Sequence, residues 1–218
     1  MGLKAIVFDF NGTLVNDLDL HIESYWRAGK ELGYPLTKQT VHRYISYSPS
    51  KKRLLYYGDI SDAQWDEVFS LKQKYYYGMV DQRDILFPDT ESALTELAAS
   101  FALAVVSNTF RYMFERLCPA DLSRLFQATL FFDEVADPKP SAEPLCRIMR
   151  SLGVKREECC YAGDSLTDIQ MAKAAGVQMF AIATGNNSAA ELGQGGADHV
   201  AANLTEFVRQ IRRLDCGS

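Results

Sequence analysis

Short apolar runs recur along this chain with helical patterns between most of them, and that rhythm limits the fold more than any other feature. Residues 3–8 (LKAIVF), 101–107 (FALAVVS), 128–132 (ATLFF), 158–163 (ECCYAG), 178–183 (QMFAIA) and 198–201 (DHVA) show no clear apolar/polar alternation. Strands covered on both faces read this way. Residues 89–100, 109–118, 141–152 and 166–175 carry helical patterns, and Gly153 and Gly176 stand where the last two would need C-caps. The alternation predicts an α/β fold, a doubly wound, Rossmann-like parallel sheet.

The rhythm fails over residues 15–82, where 17–33 and 61–80 are helical in period and no strand is evident. A small all-helical cap domain is therefore expected at 15–82, inserted into a core made of 1–14 and 83–218. Nine of the eleven tyrosines fall in the insertion, as a small helical core built on large side chains requires. Tyr47, in the loop-like stretch SYSPS, stands apart from them.

Composition removes several function classes. No apolar run reaches the ~18 residues of a membrane span, and the N-terminal apolar stretch is too short for a signal-peptide core. A cytoplasmic protein without a membrane partner is expected. The net charge of -5 argues against nucleic acid as a partner, since phosphate-backbone affinity needs clustered Lys and Arg. Five cysteines (Cys118, Cys146, Cys159, Cys160, Cys216) are an odd number without metal-type spacing, so reduced, structural thiols are expected.

In an open α/β sheet a ligand sits beyond the C-terminal strand ends. Asp9, the Ser107-Asn108 pair, Lys139 in the loop DPKPSAEP, and Asp164 with Asp168 all map there. Three converging carboxylates call for a hard cation, and Mg²⁺ suits oxygen ligands that leave room for a phosphate. Lys139 and Ser107 would supply a positive charge and a donor for the remaining phosphate oxygens.

Taken together, DFNGT (9–13), VVSNT (105–109), Lys139-Pro140 and AGDSLTD (162–168) resemble the motifs of the haloacid dehalogenase superfamily, in its phosphoglycolate-phosphatase-like group with a helical cap after the first motif. The resemblance implies a Mg²⁺-dependent phosphatase in which Asp9 is the nucleophile that becomes an aspartyl-phosphate. It also implies Asp9, Asp164 and the backbone carbonyl of Asn11 as metal ligands, with Asp168 a further ligand or a supporting acceptor. Ser107 and Lys139 would hold the phosphate and Lys139 would orient Asp9. Gly12, Thr13 and Asn108 would line the phosphate loop, partly through backbone N–H groups.

One position departs from the pattern. Most phosphatases of this superfamily carry an acid–base Asp where this chain has Asn11, and an amide cannot move that proton. An attenuated phosphatase acting on a small phosphate ester or acyl phosphate follows. A deliberate Asp-to-Asn replacement and deamidation at the Asn11-Gly12 pair are further accounts of the same residue. A pseudo-phosphatase that binds a phosphorylated ligand without turnover is the alternative from another class. Asp164 and Asp168 oppose a metal-free dehalogenase, and an imine-forming cap lysine, Lys51 or Lys52, would be needed for phosphonate cleavage. Substrate selection is expected from the cap loop through Tyr47 and Lys51, although Ser48 or Ser50 there also reads as a plain helix N-cap.

Overall fold

The computed structural model describes residues 2–216, with the side chains of Asp215 and Cys216 outside the described residues. The chain divides into two compact units, residues 1–16 with 86–218, and residues 17–85. The insertion thus begins and ends two to three residues later than the change in sequence pattern.

The larger unit is a six-stranded, all-parallel sheet of β1 (Ala5–Phe8), β2 (Ala102–Ser107), β3 (Phe126–Phe131), β4 (Cys159–Gly163), β5 (Gln178–Ile182) and β6 (His199–Ala201), in the order β3-β2-β1-β4-β5-β6. Every apolar run named above contributes one strand. β1 is central and fully buried, and its neighbours β2 and β4 lead away in opposite directions, which opens a crevice at its C-terminal end.

The smaller unit contains α1 (Leu18–Glu31), α2 (Lys38–Tyr44), α3 (Pro49–Tyr57) and α4 (Asp62–Val80). Its core gathers Tyr25, Val41, Tyr56, Tyr57 and Val68. Ser48 caps α3 by accepting from the Lys51 N–H, with Pro49 in the first turn. The larger unit continues through α5 (Thr90–Ala98), α6 (Arg111–Leu117), α7 (Ala120–Ser123), α8 (Glu143–Leu152), α9 (Leu166–Ala175), α10 (Ala189–Gly195) and α11 (Leu204–Cys216).

Both faces of the sheet are covered. Ala5, Val7, Ala104 and Tyr161 pack with Leu145, Ile148, Ile169 and Ala172 of α8 and α9. On the opposite face Phe207 of α11 meets Phe8 and Phe180 edge to face. Gly153 and Gly176 end α8 and α9 in the left-handed conformation. No helix among the described residues is long and apolar enough to cross a membrane.

Candidate active site

The chain turns sharply after β1, and the turn is anchored by apolar side chains on either side of the polar ones. Phe10, Leu14 and Val15 are buried, and the Phe10 ring packs edge to face on Phe114 at 4.9 Å. Asp9 and Gly12 are thereby fixed at the mouth of the crevice. Gly12 has φ +78°, and a Cβ there would sit 2.6 Å from an Asp164 carboxylate oxygen, so glycine serves both the turn and the close approach. Its N–H donates to the Val15 carbonyl at 2.8 Å. The same bond occupies the nitrogen that would attack the Asn11 amide, which opposes deamidation.

Lys139 is 3% exposed, and its ammonium lies 2.8 Å from Asp9 and 2.8 Å from Asp168. The Ser107 hydroxyl, at the end of β2, also favours the charged form of Asp9. Asn108 holds the lysine loop, donating from its side-chain nitrogen to the Lys139 carbonyl at 3.1 Å. Ser107, Lys139 and Asp168, expected residues from three separate segments, thus meet around the Asp9 carboxylate.

Asp164 follows β4 and faces Asp9. Its oxygens accept from the Thr13 hydroxyl at 3.1 Å and from the Asn186 N–H at 2.8 Å. Thr13, expected in the phosphate loop, therefore spends its hydroxyl on this carboxylate. Asp168 is fully buried in the first turn of α9. One of its oxygens takes Lys139, and the other accepts from the Ser165 N–H at 3.1 Å and the Ser165 hydroxyl at 2.6 Å.

Ligand atoms of Asp9, Asp164 and Asp168 lie within 4.8 Å of one another. Burial, and then the charge of Asp168, push Asp9 up to about 6 although Lys139 and Ser107 pull it down. Burial and the charges of Asp168 and Asp9 lift Asp164 well above the carboxylate range. Burial opposes the Lys139 ammonium, but Asp168 and Asp9 outweigh it and hold the lysine charged. One lysine among three buried carboxylates leaves negative charge uncompensated, and a hard divalent cation fits both the charge and the all-oxygen donor set.

Two groups of residues complete the site without having stood out in the sequence. The Tyr161 hydroxyl of β4 accepts from Lys139 at 3.2 Å and lies 3.0 Å from both Asp168 and the Val106 carbonyl. The loop after β5 closes the other side. Thr184 donates to the Gly12 carbonyl at 2.7 Å, and Gly185 packs directly on Asp164. Tyr47 and Lys51 lie in the helical unit, Tyr47 half-buried with its ring 6.3 Å from that of Tyr44 and Lys51 exposed at the start of α3.

Known proteins resemble this chain in sequence and in fold. The haloacid dehalogenase-like hydrolase family model matches residues 6–182. The phosphoglycolate phosphatase of Colwellia psychrerythraea is 27% identical over 223 residues, covering 96% of this chain and 97% of that protein. A phosphorylated carbohydrates phosphatase of Thermotoga maritima is 27% identical over 184 residues, 81% of this chain and 83% of its own. Among solved structures, a hydrolase from Pseudomonas syringae superposes with a TM-score of 0.83 at 18% identity, covering 97% of this chain and 99% of that one. CbbY from Rhodobacter sphaeroides, solved with phosphate, gives 0.78 at 24% identity over 94% of this chain and 96% of its own.

Proposed function

Since the chain belongs to the haloacid dehalogenase-like hydrolase family, we propose that it is a Mg²⁺-dependent phosphatase of a small phosphorylated metabolite in the cytoplasm. The observation that carries this reading is the buried Asp9 carboxylate, aligned by Lys139 and Ser107 beside a second acid, Asp164. Relatives named phosphoglycolate phosphatase and phosphorylated carbohydrates phosphatase support the substrate class, and free thiols at Cys118, Cys146, Cys159 and Cys160 suit a reducing compartment.

Asp9 attacks phosphorus, forming an aspartyl-phosphate as the bond to the leaving oxygen breaks; water then cleaves the acyl phosphate, releasing inorganic phosphate and restoring the carboxylate. Ser107, Lys139 and the backbone at Asn108 hold the phosphoryl oxygens. Asp9, Asp164 and the Asn11 carbonyl would hold Mg²⁺, which when bound offsets the charge of the phosphoryl group. Asp168 and Tyr161 keep Lys139 in place. Asn11 can hydrogen-bond to the leaving oxygen but cannot protonate it, so acyl phosphates and other good leaving groups are favoured. Tyr47 and Lys51 are assigned to substrate selection.

The test is phosphate release, with and without Mg²⁺, from a panel containing phosphoglycolate, sugar phosphates and acetyl phosphate, together with mass spectrometry of Asp9 after acetyl phosphate. Mg²⁺-dependent release and a phosphorylated Asp9 are expected. Absence of both leaves a pseudo-phosphatase that binds without turnover. Loss of specificity in Lys51→Ala or Tyr47→Phe checks the selection role.

A further inference from the structure

Within the sheet unit, α5 and α11 border an open groove of about 340 Å³. Asp89 ties the two helices at their N-terminal ends, its carboxylate accepting from the Thr205 N–H at 2.8 Å and the Thr205 hydroxyl at 2.9 Å. Further along, Arg212 and Glu96 tie them again at 3.1 Å. The floor of the groove is apolar, made by the buried Ala93 and Val208. From Thr205 to Arg213 it follows two turns of α11, roughly 12 Å, and its size suits a small metabolite.

The rim is one-sided in charge. Arg209, Arg212 and Arg213 border the groove against a single carboxylate, Glu96, in a chain whose net charge is -5. Glu96 answers Arg212. Arg209 and Arg213 are exposed, stand one helical turn apart, and make no hydrogen bond or ion pair among the described residues. The hydroxyls on the rim are already spent, Ser92 donating to the Asp89 carbonyl at 3.2 Å and Thr205 to the Asp89 carboxylate. The donors left for a ligand are therefore guanidinium N–H groups. Helix stability does not account for the cluster, because like charges three and four residues apart on a helix repel. The favourable field of a helix C-terminus is confined to the last turn, which includes Arg213 but not Arg209.

We propose that this groove binds a small organic dianion, its acidic group held by Arg209 and Arg213 and its carbon skeleton lying over Ala93 and Val208. Each guanidinium presents a planar fork of donors that matches the oxygens of a phosphoryl or carboxylate group. The site is built from α5 and α11 alone and does not depend on the reaction proposed above.

The experiment follows the arginine side-chain signals of the full chain, labelled with ¹³C and ¹⁵N at arginine, during titration at physiological ionic strength with EDTA present. The probes are phenylphosphonate and phenylmalonate, with methylphosphonate and methylmalonate as counterparts lacking the ring. None of them contains a phosphate ester that the reaction at Asp9 could consume. Arg209→Gln and Arg213→Gln assign the two signals. Saturable shifts of both signals are expected, with a phenyl probe binding several-fold more tightly than its methyl counterpart and either substitution weakening binding about tenfold or more. The tighter phenyl probe identifies the acidic group as phosphoryl or dicarboxylate. Shifts that never saturate, affinity unchanged in Arg209→Gln or Arg213→Gln, or equal affinity for phenyl and methyl probes would each overturn the proposal. Ser107→Ala is titrated in parallel and is expected to keep the response; its loss there would assign the anion to the Asp9 site and also overturn the proposal.

Discussion

Gly185 sits against Asp164 so closely that a Cβ on the glycine would lie 2.0 Å from a carboxylate oxygen. The adjoining Asn186 N–H binds that carboxylate, and Thr184 holds the Gly12 carbonyl, so the loop cannot retreat without releasing both contacts. Gly185→Ala is expected to displace Asp164 and weaken Mg²⁺ binding about tenfold or more, within the ~1–3 kcal/mol typical of overpacking. Calorimetric titration with Mg²⁺ measures the effect without relying on turnover.

Asn11→Asp restores a proton donor and acceptor on an unchanged backbone turn. Turnover of alkyl phosphate esters should rise by ~10²–10⁴-fold, while acetyl phosphate, whose leaving group needs little protonation, gains much less. Steady-state kinetics on the two substrate types gives the ratio. Equal gains on both would place the limitation elsewhere. Mass spectrometry of the unaltered chain after long incubation at neutral pH should still find Asn at position 11, because Gly12 N–H is committed to Val15.

Tyr161→Phe keeps the ring in the sheet face but removes the hydroxyl shared by Lys139, Asp168 and the Val106 carbonyl. A loss of about 1–2 kcal/mol in urea unfolding is expected, with reduced turnover as Lys139 loses one of its restraints. Tyr161→Ala would add a cavity beneath β1 and cost roughly 3–5 kcal/mol, by analogy with other aromatic truncations.

His21 gives the helical unit a pH dependence of definite sign. Its side chain is 14% exposed, and its folded value of about 4 lies below the ordinary 6.5. The unfolded chain therefore binds the proton first, and stability is lost as the pH falls from 6.5 towards 4. The loss should be on the order of 1–2 kcal/mol by about pH 5. Urea unfolding at several pH values measures it, and His21→Gln should flatten this part of the profile.

How much of this could be read from the sequence depended on whether a residue's neighbours lay nearby in the chain. Short continuous apolar runs announce buried parallel strands, and Asp9, Ser107 and Asp164 stand at or just beyond the ends of such runs. Tyr161 lies inside ECCYAG and reads as core, since nothing local shows that its hydroxyl reaches a lysine in another loop. Thr184 and Gly185 resemble an ordinary turn, because the contact with Gly12 spans 172 positions. Lys51 and Lys52 look alike in the sequence, yet one is exposed and the other is buried in the helical unit. That difference is set by the packing of α1, α3 and α4.

The place where the insertion leaves the sheet unit bears on how such a protein can diversify. Val15 and Leu86 pair side by side as an isolated bridge, and the Phe87 N–H donates to the Leu14 carbonyl at 3.3 Å. Exit and return thus share one stitched doorway, tied on the sheet side by bonds that do not involve the inserted residues. The length and sequence of what lies between can change while Asp9 stays in register with β2 and β4. The sheet unit can accordingly keep its hydrolytic chemistry while the whole insertion is exchanged at a single pair of chain crossings.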